Sequence, residues 1–461
     1  MGLKRKIEEG QIKSSGRAGL IGMGRWMVSR KIMEVIKEQV KIKQKVVKYE
    51  AVEKLISVVV MILGGGRGIS EINEQVRPEK KLARAFGIKG CAEQSVIQET
   101  LDRCDEKNVR EMEEALKKIY RKESLGYKHK YEEGVQILDV DLSGKKCGKG
   151  GEEAKKGYFS GEKNVVGRQI GRVVASRYGE IVVERLYAGN TTLVSVQQEL
   201  IEQAAGVLEL DEEKRGRTIV RLDAGGGSQD QVEWLEEQGF LYCTKEYSGK
   251  RVMKLIPKDI EWIPDPKTDG REVAFLASLP TDPPHRRRVA VRCRKKNGHF
   301  SYGIIISTIP ARDLMFLTAQ PVDRATDPLV VLFADVAFYD QRGGGVETAF
   351  RGSKEGLQIT RRHKKRFFGQ FMLLLLEQLA FNLLVWSRRA LVAAGFSQIA
   401  SFGPLRLIHS LSQIPGILIL NSRGRLAEIR LCRDHPFSSS LAKTLSLLLP
   451  SEQRVLILAK N

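Results

Sequence analysis

A change in hydrophobic period near residue 130 limits what this chain can fold into more than any other feature. Before it, apolar residues recur at helical spacing, and helices are predicted at 30–47, 51–63, 92–104 and 109–122, after a loose Gly- and Lys-rich start of about 20 residues. After it, apolar and polar residues alternate as in strands, at 135–141, 165–176 and 181–187. A chain of 461 residues is too long for one hydrophobic core, so we expect a helical domain followed by an α/β domain.

The order of elements after residue 130 narrows the fold class. Three strands, the second and third joined by a hairpin turn, are followed by a helix, a strand, a helix and a strand, at 192–207, 218–222, 231–238 and 240–243. This is the order of a ribonuclease H-like mixed sheet. Further strand-like segments with prolines between them predict a β-rich insertion, at 252–256, 273–277, 289–293 and 302–307.

The rest of the chain is predicted to complete the α/β core. It holds a strand-like run at 329–333, a helical region around Phe350 and a long apolar helix at 367–389. The predicted regions are a helical DNA-binding domain at 1–130, the first part of the catalytic core at 131–244, the β-rich insertion domain at 245–325, the second part of the core with the Glu-bearing helix at 326–400, and a C-terminal region at 401–461. For the first region, a helical oligomerisation domain with a solvated basic face is the alternative.

The charge of the chain points to a polyanionic partner. Lys and Arg exceed Asp and Glu by 21, which suits nucleic acid or an anionic membrane surface. The most apolar stretch, 371–386, is interrupted by polar residues and predicts a buried helix, so we expect no membrane partner and favour DNA. The six cysteines form no CxxC pair and the start of the chain does not resemble a signal peptide, so a cytoplasmic protein without a zinc knuckle is expected.

Three acids occupy positions where a metal site would form. Asp141 is predicted to end the first strand, Asp223 ends the fourth, and Glu347 begins a helix after three glycines. The first and fourth strands are neighbours in a ribonuclease H-like sheet, so the two aspartates would meet there, and a later helix could bring Glu347 to them. Cleavage of a phosphodiester commonly uses two divalent ions held by carboxylates, and we expect two Mg²⁺ or Mn²⁺ ions. Asp139 lies on the same strand face as Asp141 and is the alternative first acid.

The segment from Tyr339 to Leu357 is the most specific signal in the sequence. On a helix, Glu347, Arg351 and Lys354 would share one face, and an acid followed by two cations suits a grip on a scissile phosphate. A basic run follows at 361–366. Phosphate contacts are predicted for Arg361, Arg362, Lys364 and Lys365, with a solvated basic loop as the alternative.

This segment resembles the tyrosine–arginine–glutamate–lysine signature of bacterial insertion-sequence transposases, which are DDE enzymes with a β-strand insertion between the second Asp and the Glu. The resemblance covers residues from about 55 to 450 and implies that the three acids bind the metal ions. It also implies contacts with DNA near the transposon end by Tyr339, Arg342 and Lys354. Four residues separate Arg342 from Glu347, one more than the family pattern usually has, so Lys354 fits the signature better.

What the resemblance implies for function is cleavage and strand transfer at terminal inverted repeats, by a homodimer acting on double-stranded DNA in the bacterial nucleoid. Trp262 is the only tryptophan of the insertion, and it is predicted either to stack on a flipped base or to be a core residue. A hydrolytic nuclease of the same fold and a DNA-binding protein that has lost the chemistry are the rival functions. The net charge of +21 argues against a carboxylate-pair glycosidase.

Overall fold

The computed structural model describes residues 11–45, 48–159, 161–450 and 453–458. In chain order the strands are β1 (Ile12–Ser15), β2 (Gln136–Lys146), β3 (Lys155–Phe159), β4 (Glu162–Ala175), β5 (Glu180–Ala188), β6 (Thr218–Arg221), β7 (Leu241–Lys245), β8 (Ile263–Pro264), β9 (Arg271–Leu276), β10 (Arg287–Arg294), β11 (Phe300–Ser307), β12 (Gly416–Leu420), β13 (Leu426–Leu431) and β14 (Arg454–Ile457).

The α-helices separate these strands or precede them. In chain order they are α1 (Ala18–Ser29), α2 (Ile32–Gln39), α3 (Ala51–Leu63), α4 (Ile72–Gln75), α5 (Lys80–Ala85), α6 (Gln94–Asp102), α7 (Glu106–Glu123), α8 (Leu193–Leu208), α9 (Glu212–Arg215), α10 (Gln229–Glu237), α11 (Gly249–Leu255), α12 (Ala311–Leu317), α13 (Pro328–Asp340), α14 (Val346–Arg351), α15 (Phe367–Ala393), α16 (Pro404–Leu407) and α17 (Ser438–Leu448). Short π-helical turns follow α14 and α16, at Gly352–Gly356 and Ile408–Ser412.

Residue contacts divide the chain into two units. The first comprises Met1–Glu123, Lys146–Ala154 and Phe350–Asn461, and the second comprises Ser124–Lys145 and Lys155–Ala349. This division differs from the five predicted regions. Residues of the N-terminal helices and of the C-terminal part belong to one unit, so 1–130 is not a domain by itself.

The second unit is built on one mixed sheet. Its strand order is β3-β4-β2-β6-β7-β11-β10-β9-β8, and β5 also pairs with β4. Strands β2, β6 and β7 run parallel to one another, whereas β4 and β5 form the predicted antiparallel hairpin. The first and fourth predicted strands, β2 and β6, are therefore neighbours as the sequence predicted.

The strands of the predicted insertion extend this same sheet. Strand β11 pairs directly with β7, and β10 and β9 follow in antiparallel register, with the hairpin turn at Gly298 in the left-handed region (φ +81°). The strands of the β-rich insertion predicted at 245–325 thus belong to the same sheet as the predicted core. Val273, Val289 and Ile305 of these strands share a buried cluster with Ile219 of β6, so the added strands and the central strands have a common core.

Two segments predicted as strands are helices, and their first residues explain the error. Residues 252–256 belong largely to α11, whose start is capped by the Ser248 hydroxyl, which accepts a hydrogen bond from the Arg251 N–H. Residues 329–333 open α13, where the Asp327 carboxylate accepts from Leu329 N–H and a proline occupies the first turn. A short apolar run fits a helix or a strand equally well, and these caps decide between them.

Helix α15 is the centre of the first unit, where it packs against α3, α6 and α7. Among the described residues it is the one helix long and apolar enough to cross a membrane, but 94% of its most apolar window is buried inside the unit. This confirms the predicted buried helix. The guanidinium of Arg362 lies 2.8 Å from the carboxylate of Glu377, which compensates the acid that interrupts the apolar run.

A small sheet of order β1-β12-β13-β14 also belongs to the first unit. Strand β1 pairs in antiparallel register with β12, and helix α1 begins at Ala18. The prediction of a loose start is therefore wrong for residues 11–20, while residues 1–10 lie outside the described residues. The last two residues of the helix predicted at 30–47, Val46 and Val47, also lie outside them, and α2 ends earlier, at Gln39.

Candidate active site

Asp139 and Asp141 lie on the same face of β2, but their surroundings differ. The Asp139 carboxylate is fully buried and accepts two hydrogen bonds from Arg221, at 2.6 and 3.0 Å. The Ser176 hydroxyl donates to it as well, and Arg221 donates to the carbonyl of Phe338 at 2.7 Å. Internal partners thus occupy Asp139, which leaves Asp141 as the acid that faces the candidate site.

Arg342 links Asp141 with Glu347. Its guanidinium donates to Asp141 Oδ2 at 2.9 Å and to Glu347 Oε1 at 2.6 Å, and only 8% of its side chain is exposed. Asp141 lies in the middle of β2, which continues to Lys146, so the prediction that Asp141 ends the strand is wrong. The sequence did not indicate that the arginine and both acids would form one cluster.

A tight glycine turn presents Glu347. The turn runs through Gln341–Gly344, and α14 begins immediately after Gly345, with Glu347 in its first turn as predicted. A Cβ atom on Gly345 would lie 1.7 Å from a carboxylate oxygen of Asp139, so only glycine allows this approach. The contact with the buried Asp139 therefore fixes how closely the glycine turn approaches β2. The Glu347 side chain, 51% exposed, faces outward beside Arg342.

Asp223 follows β6 closely, as predicted, and its backbone is held by the neighbouring strand. Its side chain accepts a hydrogen bond from Gly225 N–H at 2.8 Å, and its carbonyl accepts one from the Thr244 hydroxyl at 3.0 Å. A Cβ atom on Gly227 would lie 1.7 Å from the carbonyl oxygen of Lys245. The glycine run after Asp223 thus lets this loop pack against the end of β7.

The charges of the three acids interact. The pKa of Asp141 is raised to about 7, chiefly by burial; Arg342 opposes this rise, and the negative charges of Asp223 and Glu347 contribute to it. Arg342 is buried too, which disfavours its charge, but the nearby acids, Asp141 first, more than compensate and raise its pKa. The structure therefore brings the three predicted acids within electrostatic range of one another around a buried cation.

Tyr339 and Lys245 add an aromatic ring and a second cation to the cluster. Tyr339 is half-buried near the end of α13, and the Lys245 ammonium lies 4.5 Å from its ring centroid. Burial lowers the pKa of Lys245. Sequence reasoning missed Lys245, although it ends the strand beside β6, where the rule that strand ends carry ligand groups would have found it.

The carboxylates of Asp141, Asp223 and Glu347 are suitable ligands for a hard divalent ion, although in this structure they do not lie close enough together to bind one. Among the described residues, no group of three His, Cys, Asp or Glu side chains lies close enough to hold a metal ion. A positive charge, that of Arg342, already stands between the carboxylates of Asp141 and Glu347. Carboxylate oxygens are the ligands that Mg²⁺ and Mn²⁺ prefer, so the residues present fit such ions once Arg342 withdraws.

The predicted common face of Glu347, Arg351 and Lys354 holds only in part. Helix α14 ends at Arg351, and Lys354 lies in the π-helical turn that follows, with its ammonium 5.9 Å from the ring centroid of Phe350. A π-helical turn is wider than an α-helical one, so the α-helical spacing does not apply to Lys354. Arg351 is exposed.

The basic run at 361–366 divides into buried and exposed positions. Arg362 also donates to the carbonyl of Gly66 at 2.9 Å, and the Lys364 ammonium lies 2.8 Å from Asp102. Arg362 and Lys364 are buried, whereas Arg361 and Lys365 are exposed. The prediction that all four contact DNA is therefore corrected, because internal ion pairs occupy Arg362 and Lys364.

Trp262 lies in a cluster of rings and a cation on the added strands. The Arg292 guanidinium lies 4.5 Å from the ring centroid of Trp262 and pairs with Glu272 at 2.6 Å. Tyr302, 38% exposed, lies at 6.0 Å between ring centroids. Trp262 is half-buried rather than a core residue, and one face of it is covered by Arg292.

Comparisons with known proteins leave the family of the chain open. No family model matches the sequence, and no curated protein matches it. Among solved structures, the chain is similar to the piggyBac transposase in a cryo-EM structure of its synaptic complex with hairpin DNA, with a TM-score of 0.47 and 11% identity. That similarity covers 92% of this chain and 81% of the other.

Proposed function

We propose that the protein is a DDE transposase that cuts DNA at terminal inverted repeats and joins it to a target. The observation that carries the proposal is the bridge from Asp141 through Arg342 to Glu347, with the charge of Asp223 acting on the same site. These acids come from two adjacent parallel strands and from a helix that follows the added strands. Such a cluster in a chain with a net charge of +21 suits an enzyme acting on a polyanion.

The strand order supports a ribonuclease H-like core as the scaffold of this enzyme. A hairpin (β5 and β4), then β2, then the parallel strands β6 and β7, is the order expected for that fold, with the candidate acids on its central strands. In this proposal the strands β8 to β11 are the family's insertion, placed as a continuation of the core sheet. The origin from a bacterial insertion sequence belongs to the same proposal.

Two Mg²⁺ or Mn²⁺ ions would be held by Asp141, Asp223 and Glu347, and they would activate the attacking oxygen and stabilise the leaving oxygen. The remaining roles fall to side chains of the protein. Arg342 neutralises the acids through its hydrogen bonds to Asp141 and Glu347, and if it left them its guanidinium could bind a phosphate with two parallel hydrogen bonds. Tyr339 lies close enough to take part in the same DNA contact.

Further DNA contacts are proposed for the exposed cations Arg351, Arg361 and Lys365, and for Lys354. Trp262 is proposed to stack on a base, which requires Arg292 to leave its ring. In this proposal the protein acts as a homodimer on paired transposon ends and on target DNA, in the bacterial cytoplasm at the nucleoid. Contacts with phosphates would make its DNA affinity strongly dependent on salt.

The test is cleavage of a duplex that carries the terminal repeat flanking the gene, with Mg²⁺ and without it. Wild type is compared with Glu347→Gln and with Glu355→Gln, a matched change at an exposed acid of the same segment. We expect wild type and Glu355→Gln to cut at the repeat boundary and Glu347→Gln to lose activity by several orders of magnitude. Equal cutting by all three would remove Glu347 from the proposed site.

The same assay separates the two rival functions. A hydrolytic nuclease would cut the repeat but give no joined product when a target plasmid is added. A DNA-binding protein without chemistry would bind the repeat, and neither wild type nor variant would cut it. Joined product that depends on Mg²⁺ and on Glu347 supports the transposase.

A further inference from the structure

Lys245 is a half-buried lysine whose ammonium is bonded to no acid of the described residues. It is half-buried at the end of β7, and its ammonium faces the ring of Tyr339 at 4.5 Å. Among the described residues, no hydrogen bond or ion pair joins its ammonium to an acid. The nearby acid Asp340 is already paired with Arg271 at 2.6 Å. A cation withdrawn from water without an acidic partner costs free energy, so its position needs another explanation.

The backbone of Lys245 is fixed to the loop that carries Asp223. The Thr244 hydroxyl donates to the Asp223 carbonyl, and Gly227 lies against the carbonyl of Lys245 so closely that no Cβ would fit. Tyr247 N–H then donates to Gly227 O at 3.2 Å. These contacts hold the backbone of the lysine beside the second candidate acid rather than on a freely moving loop.

Two cations thus flank the candidate site, and they differ in one respect. Arg342 is hydrogen-bonded to the acids Asp141 and Glu347, whereas among the described residues no acid is hydrogen-bonded to the Lys245 ammonium. The charge of Asp340 favours the Lys245 ammonium, and the charges of Arg271 and Arg342 oppose it. An ammonium ion is a compact charge with three donors, which suits a non-bridging phosphate oxygen. The Tyr339 ring lies beside this ammonium, 4.5 Å from ring centroid to nitrogen.

We propose that Lys245 binds a backbone phosphate of the DNA that occupies the candidate active site. The inference rests on the proposed function and adds to it a DNA-contacting residue that the transposase signature does not contain. It assigns Tyr339 a second role, which is to hold the lysine ammonium in place through its ring. The ligand class is a phosphodiester of duplex DNA.

The test measures the salt dependence of binding to the terminal-repeat duplex without divalent ions. The variants are Lys245→Met, which keeps the stem but not the charge, Lys245→Arg, and Lys254→Met, a control at an exposed lysine of α11. Loss of one phosphate contact reduces the slope of log affinity against log salt by about 0.9, equivalent to about eightfold weaker binding at about 0.1 M salt. We expect this change for Lys245→Met, no change for the control and partial recovery for Lys245→Arg.

A thermal unfolding measurement excludes a merely structural role. Lys245→Met removes a half-buried charge, which should stabilise the fold, and also the contact of the ammonium with the Tyr339 ring, which should destabilise it, so its Tm should stay close to that of wild type. A lower Tm together with an unchanged salt slope overturns the inference, as does a slope change of equal size in the control. If wild type does not bind the duplex at all, the proposed function fails first, which distinguishes that failure from failure of the role of Lys245.

Discussion

Replacing Arg342 by glutamine should lower the stability of the protein, because the carboxylates of Asp141 and Glu347 lose the cation that lies between them. Asp141 is 17% exposed and loses its charged partner, and breaking such a buried pair costs about 3–5 kcal/mol. Glu347 is 51% exposed, so water screens its pair with Arg342 and that loss adds at most about 1 kcal/mol. Taking the low end, we expect a loss of about 3 kcal/mol, or about 6–12 °C in Tm for a unit of this size.

Divalent ions should reverse this loss. An ion present at about 100 times its Kd stabilises the folded state by about 2.7 kcal/mol, close to the expected loss. In wild type the ion must first displace Arg342, so Mg²⁺ should raise the Tm of Arg342→Gln more than that of wild type. Differential scanning calorimetry with EDTA and with Mg²⁺ measures both effects.

The control for this experiment is Arg324→Gln. Arg324 pairs with Asp327 at 2.6 Å, but both side chains are well exposed, so its loss should cost less than about 1 kcal/mol and should not depend on Mg²⁺. If Arg342→Gln is as stable as wild type without metal, or if Mg²⁺ raises both Tm values equally, then Arg342 does not stand in for an ion.

Three further substitutions test other features of the fold. Gly345→Ala should destabilise by about 1–3 kcal/mol and reduce cleavage, because the new methyl group would collide with the Asp139 carboxylate. Burial alone would raise the pKa of Asp282, but hydrogen bonds from arginines and a backbone N–H outweigh it and hold the pKa below the usual range. Asp282→Asn should therefore cost about 3 kcal/mol near neutral pH, and the difference from wild type should shrink as pH falls below about 4, as measured by urea unfolding. Arg362→Met should cost about 3–5 kcal/mol because it removes the ion pair between Arg362 and the buried carboxylate of Glu377.

Each of these changes has a matched control. A Cβ on Gly344 would meet nothing within 4 Å, so Gly344→Ala should behave like wild type, and equal effects at both glycines would refute the steric explanation. Asp323→Asn and Arg366→Met alter exposed side chains and should change stability by less than about 0.5 kcal/mol. A stability difference for Asp282→Asn that stays constant down to pH 2 would contradict the depressed pKa.

The sequence predicted the central strands well because their periodicity and turns are local signals. Alternation located β2 and β4, and the short apolar run at 218–222 located β6. The sequence pattern did not predict α13, because the apolar run at 329–333 is too short to show a period. The hydrogen bond from Leu329 N–H to the Asp327 carboxylate caps the helix that forms there. Local patterns also could not show that β11 would pair with β7, because that pairing depends on residues far apart in the chain.

The sequence predicted which acids belong to the candidate site, but it did not predict the hydrogen-bond and ion-pair partners of its charged residues. Asp139 and Asp141 look equivalent in sequence, and only the position of Arg221 on the adjacent strand shows that Asp139 is internal. Arg362 and Lys364 look like surface cations within a basic run, yet both are buried. The number of charges in a sequence does not distinguish a buried cation that pairs with an acid inside the protein from an exposed cation that can contact a ligand.

The edge strand β8 of the large sheet limits how two copies of the protein could pair with each other. Its last strand, β8, pairs through only two residues, Ile263 and Pro264, and the proline has no N–H to donate. A short edge strand with a proline resists extension by a strand of another molecule. Two copies are therefore not expected to join their sheets at this edge into one continuous ladder, and a dimer would have to form through another surface.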